Sequence, residues 1–174
     1  HYVRAVPGGT GEAKAAGNYA GALLPAELAK KEGFDQVMWM DGHEFKYVQE
    51  VGTMNIFFVI DGKVVTPATD GAILKGITRA TILESLQEKG IPVEERKLDI
   101  HELIEAHKNG TLQEAWGTGT AAVVAPVESI TYEGYTISLP TVDQFTIGNQ
   151  MKDYIDGLRS GRIEDTHGWV VEIQ

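Results

Sequence analysis

The sequence predicts a mixed α/β fold in a single domain. Strand-like and helix-like segments alternate along the chain, which is typical of proteins whose helices pack on a sheet. The chain has 174 residues, of which 43% are hydrophobic, enough for one well-formed core. We find no internal repeat and no linker between its parts. One domain over residues 1–174 is therefore expected.

Apolar runs and turn dipeptides mark the strands. The segment 56–60 is continuously apolar, as in a buried strand. Asp61-Gly62 follows it, and Glu133-Gly134 stands between two later strands; both dipeptides predict tight hairpin turns. The predicted strands are 1–6, 36–40, 47–60, 63–66, 92–98, 113–116, 121–125, 130–132, 135–139 and 168–173.

Capping and stop residues indicate where the helices begin and end. Asn18 is placed to cap a helix that would end before Gly33, a residue suited to the left-handed conformation. The apolar face of that helix would consist of three residues, Leu23, Leu24 and Leu28. Asp99 and Glu102 have the spacing of a capping box. The predicted helices are about 18–31, 77–89, 99–110 and 145–158.

The charge balance argues against binding to nucleic acid or to anionic lipid. Lysine and arginine number 15 against 25 acidic residues, a net charge of −10. We expect no nucleic acid and no membrane as partners, since the longest apolar run is too short to span a bilayer. The absence of cysteine fits a cytoplasmic enzyme. The five histidines are scattered without metal-ligand spacing, so no metal is expected.

Lys14 is the first candidate for chemistry because its neighbours are small. Residues 11–17 are mostly glycine and alanine, so another body can approach the amine closely. If that body excludes water, the neutral amine is favoured, and a neutral amine is what attack on a carbonyl group requires. On composition alone, the alternative is a solvated lysine in a flexible loop.

Three further segments could interact with charged groups. Glu50 stands where the chain turns apolar; it is either a buried carboxylate that meets a cation or a solvated strand-end glutamate. A glycine-bearing turn leads into the helix that starts at Ile77, so the amides of Ile77 and Thr78 are either free to bind an anion or simply capped. Residues 117–122 are small or hydroxyl-bearing, which suits anion binding by backbone amides and Thr120.

Two segments resemble familiar phosphate-binding motifs but lack the neighbouring residues or elements that those motifs require. Residues 117–122 match a relaxed dinucleotide fingerprint, but that motif needs a following helix, and strand-like residues with Pro126 follow instead. Residues 9–14 have some features of a P-loop, yet Lys14 lacks the preceding glycine and the following serine or threonine. Neither segment predicts a nucleotide site.

Four motifs follow one another along the chain. They are Lys14-Ala-Ala-Gly-Asn-Tyr-Ala20, Glu50-Val-Gly-Thr-Met-Asn-Ile-Phe57, Leu74-Lys-Gly-Ile-Thr-Arg79 and Gly117-Thr-Gly-Thr-Ala121. Together they resemble the signatures of branched-chain amino acid aminotransferases, which are fold-type IV pyridoxal phosphate enzymes. The resemblance covers nearly the whole chain, and the motif at Glu50 is highly specific. It implies the large C-terminal, cofactor-binding domain of that fold, a pseudo-barrel of mixed strands with flanking helices.

The resemblance implies that five residues contact pyridoxal 5′-phosphate around its ring. Lys14 would hold the cofactor covalently and move a proton at the substrate α-carbon. Glu50 would face the pyridine nitrogen and keep it protonated. Tyr19 would hydrogen-bond the ring phenolate oxygen. Thr53 would lie near the ring, and Leu74 would pack on it.

The resemblance also implies two anion sites. The cofactor phosphate would be held by the amides of Ile77 and Thr78 together with Thr120. The substrate carboxylate would be held beside Thr120 by the amides of Ala121 and Ala122. In an acidic chain such anions need donors that are aimed at them locally.

The implied reaction is reversible amino transfer between leucine, isoleucine or valine and 2-oxoglutarate, which gives branched-chain 2-oxo acids and glutamate in amino-acid biosynthesis. The implied assembly is a homodimer whose subunits also contain a small N-terminal domain. That domain has no counterpart here, so we expect a fragment that lacks an arginine for the phosphate and the cover of the substrate side chain. The alternatives are a D-amino acid or aromatic aminotransferase of the same fold, or a catalytically incomplete cofactor-binding fragment.

Overall fold

The computed structural model describes residues 2–171 and confirms the mixed α/β fold. The helices are α1 (Ala16–Ala20), α2 (Leu23–Lys31), α3 (Ile77–Glu88), α4 (Ile100–Lys108) and α5 (Ile147–Arg159), with a 3-10 turn at Val142–Gln144. The strands are β1 (Met38–Met40), β2 (Val48–Val51), β3 (Met54–Ile60), β4 (Lys63–Pro67), β5 (Val93–Arg96), β6 (Leu112–Thr118), β7 (Ala125–Pro126), β8 (Ser129–Tyr132) and β9 (Tyr135–Ser138). Among the described residues, no helix has the length and apolar character that crossing a membrane requires.

Strand β3 is the centre of a seven-stranded mixed sheet. β6 lies antiparallel along one edge of β3. The other edge is shared, because β2 pairs with the first residues of β3 and β4 pairs with its last residues. β1 extends the sheet beyond β2, β7 lies beside β6, and β5 runs parallel to β4. β8 and β9 form a separate hairpin.

The core has two layers, one on each face of the sheet. Ile56 and Phe58 of β3 belong to the layer that contains α4 and the β8–β9 hairpin. Phe57 and Val59 belong to the layer that contains α3 and α5. Since side chains alternate between the faces of a strand, a strand covered on both faces is apolar at successive positions. This double burial explains the apolar run 56–60.

Both predicted hairpin turns are confirmed. Asp61, Gly62, Glu133 and Gly134 have φ values of 51°, 74°, 47° and 80°. Two consecutive residues with positive φ are the backbone of a type I′ turn, whose twist matches that of paired strands. The first turn joins β3 to β4 and the second joins β8 to β9.

Among the wrong predictions within the described residues are three strands and one helix. Residues 2–6 and 168–171 are not strands, and His1 and 172–174, the rest of those two predictions, lie outside the described residues. Residues 120–124 form a turn in place of the predicted strand. The single helix predicted from Asn18 is two helices, because Pro25 lacks the N–H that a continuous helix would need there and is tolerated only in the first turn of α2.

The capping box predicted for α4 is half formed. The Asp99 carboxylate accepts a hydrogen bond from the His101 amide at 2.9 Å, as a cap should. Glu102 does not reach back to close the box, because its carboxylate binds the Arg96 guanidinium at 2.9 Å. Glu102 therefore binds the charged Arg96, because this charge-assisted hydrogen bond is stronger than one to a backbone amide.

Glu114 of β6 caps the start of α5 from the sheet. The buried carboxylate accepts hydrogen bonds from the Thr146, Ile147 and Gly148 amides at 2.6, 3.0 and 2.8 Å, and from the Thr146 hydroxyl at 3.0 Å. The first amides of a helix have no internal partner and carry the positive end of its dipole. Glu114 therefore stabilises α5 and fixes it on the sheet.

We expect Glu114→Gln to lower the free energy of unfolding by about 1.5–3 kcal/mol, because the amide removes the charge and leaves only one accepting oxygen. Urea unfolding followed by circular dichroism measures the change. Glu128→Gln is the matched control, since Glu128 is exposed and its carboxylate has no hydrogen bond among the described residues. Equal unfolding midpoints for the two variants would contradict the capping role.

Candidate functional site

A cavity of about 530 Å³ opens beside the β2–β3 turn and the end of β6. Its wall includes every residue that the sequence analysis selected as a site residue. They are Lys14, Tyr19, Glu50, Thr53, Leu74, Ile77, Thr78, Thr120, Ala121 and Ala122. Four segments that are far apart in sequence thus meet at one place, and the individual roles of these residues stay predictions.

Glu50 is the buried charge of this cavity, with 3% of its surface exposed. Its Oε1 accepts a hydrogen bond from the Leu74 amide at 2.7 Å and lies 3.2 Å from Arg4 Nη2. Burial raises the pKa of Glu50 above its usual value, while the Arg4 charge and the Leu74 N–H act in the opposite direction. The alternative of a solvated strand-end glutamate is therefore wrong.

Helix α3 begins at the cavity with free amide groups. Its N-cap residue, Gly76, provides no side-chain cap, and the amides of Ile77 and Thr78 make no hydrogen bond within residues 2–171. Buried Arg79 holds this end of the helix through an ion pair with Glu95 at 2.7 Å. Free amides at a helix N-terminus attract anions, so this end of α3 can hold one.

Asn55 fixes the turn that leads into α3. Its Nδ2 donates to the Leu74 carbonyl at 2.8 Å, and the Gly76 amide donates to the same carbonyl at 2.9 Å. A Cβ atom at Gly76 would overlap Asn55 Oδ1, so a larger residue there would displace the Asn55 side chain. The asparagine of the Glu50 motif and the glycine of the next motif are therefore complementary parts of one turn.

The loop after β6 offers two more free amides. The Val123 amide donates to the Gly119 carbonyl at 2.8 Å, which closes a tight turn. In the described part of the chain, the amides of Ala121 and Ala122 make no hydrogen bond. Val123 has a φ of 57°, a left-handed conformation that a β-branched residue adopts only under constraint from its surroundings. The turn thus holds these two amides at the cavity wall.

Lys14 is exposed at the wall of the cavity, with Tyr19 beside it on α1. Between residues 2 and 171, no carboxylate forms an ion pair with Lys14, and its neighbour Glu12 pairs with Lys75 at 3.2 Å. The small surroundings therefore leave the amine accessible, as predicted. No other segment of the described chain covers it, so water would have to be excluded by a ligand or by another part of the protein.

Asn18 braces the loop that carries Lys14, although the sequence predicted a helix cap. It is buried within α1, and its Nδ2 donates to the Thr10 and Ala13 carbonyls at 2.7 and 2.9 Å. A Cβ atom at Gly11 would overlap the backbone of Ala72, so the loop lies directly against the segment before Leu74. These contacts hold the lysine loop to the rest of the site.

Sequence reasoning missed several residues of the site. Met54, Asn55, Lys75, Gly76, Thr118 and Gly119 also line the cavity. Arg4, which pairs with Glu50, was interpreted as part of an opening strand. The sequence shows only that Arg4 is an isolated charge among apolar and small residues, and this does not indicate which residue it pairs with.

One further cluster lies outside the cavity. Glu84 and Glu88 of α3 and His167 each offer a ligand atom within 4.8 Å of the others, a grouping that the histidine spacing did not predict. His167 Nε2 lies 2.7 Å from Glu88 Oε1, and the ring of His167 stacks on Trp169. The pair attaches the last described segment to α3.

An accessible lysine amine, a buried carboxylate and two sets of free amides define a site that can bind an anionic carbonyl compound and react with it. The chain matches the model of the family described as amino-transferase class IV over residues 3–130. It therefore belongs to the class IV aminotransferase family.

The chain is also similar to curated relatives and solved structures that are named as branched-chain aminotransferases. The chain is 48% identical over 172 residues to branched-chain-amino-acid aminotransferase 2 of Bacillus subtilis, matching 99% of this chain and 47% of that protein. It is 51% identical over 172 residues to a probable branched-chain-amino-acid aminotransferase of Staphylococcus epidermidis, again over 99% of this chain and 48% of that protein. This chain spans about half the length of the curated relatives it matches.

Two solved structures show the same backbone arrangement. The branched-chain amino acid aminotransferase from Escherichia coli superposes with a TM-score of 0.78 at 30% identity, over 97% of this chain and 53% of that one. A second branched-chain amino acid aminotransferase, complexed with N-(5′-phosphopyridoxyl)-L-glutamate and of a source abbreviated T.th., superposes with a TM-score of 0.73 at 27% identity, over 91% of this chain and 50% of that one.

Proposed function

We propose that this chain is the cofactor-binding half of an enzyme that transfers amino groups between leucine, isoleucine or valine and 2-oxoglutarate. The products are branched-chain 2-oxo acids and glutamate, and the cofactor is pyridoxal 5′-phosphate. The observation that carries the proposal is the cavity where Lys14, the Glu50 carboxylate and the free amides of Ile77 and Thr78 meet. The names of the relatives support the substrate class, and a phosphopyridoxyl compound is named in the complex of one similar structure.

The residues present fit the three functional groups of pyridoxal phosphate. Its aldehyde needs an amine, and Lys14 is accessible. Its basic ring nitrogen needs an acidic partner, and Glu50 lines the same cavity. Its phosphate needs hydrogen-bond donors, which the amides of Ile77 and Thr78 provide. The cavity volume of about 530 Å³ lies within the range usual for small-molecule sites.

The side chains around the ring divide the chemistry among them. Pyridoxal phosphate, when bound, supplies a carbonyl carbon for amino transfer and a ring that accepts electrons from the substrate α-carbon. Lys14 would hold the cofactor and later carry a proton to and from the α-carbon. Glu50 would hold a proton on the ring nitrogen. Tyr19 would donate to the ring oxygen, and Thr53 and Leu74 would orient the ring.

The two sets of backbone amides would separate two anions. Ile77 and Thr78, with Thr120, would bind the phosphate at the start of α3. Ala121 and Ala122 would bind the substrate carboxylate, which orients the α-carbon toward Lys14. Backbone amides suit this task in a chain with a net charge of −10, because they are fixed in place and bind anions without a flexible cationic side chain.

The proposed partners are the N-terminal half of the same enzyme and a second subunit, in a cytoplasmic homodimer. Leu23, Leu24 and Leu28 of α2 are 70%, 57% and 38% exposed, although the sequence predicted them to form an apolar packing face. An exposed apolar patch of this kind on a helix marks an interaction surface. The partner that covers this patch would also supply the remaining wall of the cavity.

Coverage of about half of each relative favours a second candidate, a catalytically incomplete domain that binds the cofactor without turnover. Such a domain would keep Lys14, Glu50 and the amide groups. It would lack the residues that enclose the substrate side chain. Binding and turnover measured on the same preparation separate the two candidates.

We expect the purified chain to bind pyridoxal phosphate with a yellow absorbance band, because a lysine-bound cofactor absorbs visible light. Reduction with borohydride followed by peptide mapping should place the pyridoxyl group on Lys14. Lys75→Ala, a change at the same cavity wall, is the control and should keep the label. A label on Lys75 alone would contradict the site, and a colourless, unlabelled chain would contradict the proposed function. Colour without amino transfer from leucine would support the incomplete domain.

A further inference from the structure

The Arg4–Glu50 ion pair has no part in the function proposed so far. Their side chains are 6% and 4% exposed, and no other salt bridge within residues 2–171 has both partners buried to this degree. Burying two charges costs free energy unless their geometry is good and their other hydrogen bonds are made. A pair of this kind at the wall of a functional cavity therefore needs an explanation beyond stability.

The contacts of Glu50 are asymmetric between its two oxygens. Oε1 accepts from the Leu74 amide at 2.7 Å and faces Arg4 Nη2 at 3.2 Å. Oε2 accepts no hydrogen bond among the described residues, and it is not one of the fully buried polar atoms without a partner. Because Glu50 lines the cavity, the free oxygen is the one left for a ligand.

Arg4 contacts two of the segments that form the site, and one of these lies against the lysine loop. Its Nη2 contacts the Ala72 carbonyl as well as the Glu50 carboxylate, and Ala72 also lies against Gly11 of the lysine loop. A guanidinium is planar and always charged, so it can hold a carboxylate and a carbonyl in fixed directions, which an ammonium cannot do as well. Arg4 therefore anchors Glu50 in one direction and places a positive charge beside it.

We propose that Arg4 is a positioning residue that keeps Glu50 ionised and anchored through Oε1, so that Oε2 can bind the protonated ring nitrogen of a pyridine ligand. The inference rests on the proposed function, since it assumes such a ligand in the cavity. A cationic nitrogen is stabilised by a carboxylate and not by a neutral carboxyl group. Without Arg4, burial would favour the neutral form of Glu50 and would be opposed only by the Leu74 N–H.

The other titratable groups that line the cavity are Lys14, Tyr19 and Lys75, and any of them can modulate the charge of Glu50. The first test therefore uses the cofactor-free chain, with ¹³C-labelled glutamate and the Glu50 signal identified by its loss in Glu50→Gln. In Arg4→Met the pKa of Glu50 should rise by about one pH unit or more relative to wild type. Arg4→Lys keeps a charge and should restore part of the difference.

The second test compares the affinity for pyridoxal phosphate with that for its 1-deaza analogue, which has no ring nitrogen. The wild-type chain should prefer pyridoxal phosphate by about tenfold or more, because only this ligand can form a charge-assisted hydrogen bond with Glu50 through its ring nitrogen. Arg4→Met should lose most of this preference, and in the Glu50→Gln background the same change should have no effect on it. A purely structural role for Arg4 would lower both affinities equally.

The inference would be overturned by an unchanged Glu50 pKa or by an unchanged preference for the ring nitrogen in Arg4→Met. If that variant does not fold, Arg4→Gln, which keeps a donor for the Ala72 carbonyl without the charge, answers the same question. Failure of the proposed function looks different. The wild-type chain would then not bind pyridoxal phosphate, while the titration of Glu50 in the cofactor-free chain would still decide the role of Arg4.

Discussion

Lys14→Ala is expected to abolish amino transfer from leucine, with a loss on the order of 10⁴-fold or more in kcat/KM. In the proposed function the change would remove both the amine that holds the cofactor and the base that moves the α-proton, and a single alanine can supply neither. The assay is best done on the chain joined to an N-terminal half, where turnover of the unchanged protein is measurable. Single-turnover absorbance changes on adding leucine give the rate directly.

Two controls make the Lys14 result specific. Lys75→Ala removes the other lysine of the cavity wall, which forms only a surface ion pair with Glu12, and should change the rate by no more than a few-fold, roughly what an exposed pair contributes. Small primary amines such as methylamine should partly restore Lys14→Ala, since the site around the lysine is open. Equal losses in both lysine variants would show that Lys14 has no special role.

The candidate site was predictable because it is built from short, contiguous motifs. Glu50 and Asn55 belong to one motif and Gly76 to the next, and the structure joins them in the turn before α3. Arg4 was not predictable in this way. Its partner is 46 positions away, and a single arginine in an apolar segment does not indicate which carboxylate it meets.

The local errors arise where hydrogen bonds that residue propensity does not reveal, within a turn or between distant segments, outweigh that propensity. Val123 and Val124 favour a strand. The hydrogen bond that the Val123 amide donates to the Gly119 carbonyl closes a turn there instead. The position of His107 in the sequence indicated no partner, yet its Nδ1 lies 2.9 Å from the Tyr135 hydroxyl of β9. The apolar run of β3 correctly indicated burial on both faces of the sheet. The single strand predicted over 47–60 was wrong, because a turn at residues 52–53 divides it into the antiparallel strands β2 and β3.

Among the described residues no arginine lines the cavity, which should limit how tightly this chain alone binds the phosphate of the proposed cofactor. The cationic side chains that line the cavity are Lys14 and Lys75, while Arg4 is directed at Glu50. A missing charge-assisted contact costs about 1.5–3 kcal/mol. That corresponds to roughly one to two decades in cofactor affinity, so binding should weaken without being lost. The isolated chain should then bind pyridoxal phosphate and convert leucine hardly at all.

Adding an N-terminal half should restore both activity and assembly. The corresponding half of the Bacillus subtilis relative is a suitable donor, because that protein is 48% identical over 172 residues of this chain. Fused to the chain or supplied separately, it should raise leucine turnover by about a hundredfold or more, on the scale of effects from completing a preorganised site. Light scattering should show a dimer at the same time.

The exposed leucines of α2 provide the decisive control for this reconstitution. Leu23→Lys with Leu24→Lys places charge on the apolar patch, outside the cavity wall, and should prevent reconstitution while cofactor binding by the isolated chain stays the same. Glu27→Gln changes a neighbouring exposed residue of α2 and should reconstitute normally. If the isolated chain were fully active and monomeric, or if the charged leucine variant reconstituted as well as wild type, the proposed assembly would be wrong. Lys14 could still hold the cofactor in that case, because its place at the cavity wall does not depend on what covers α2.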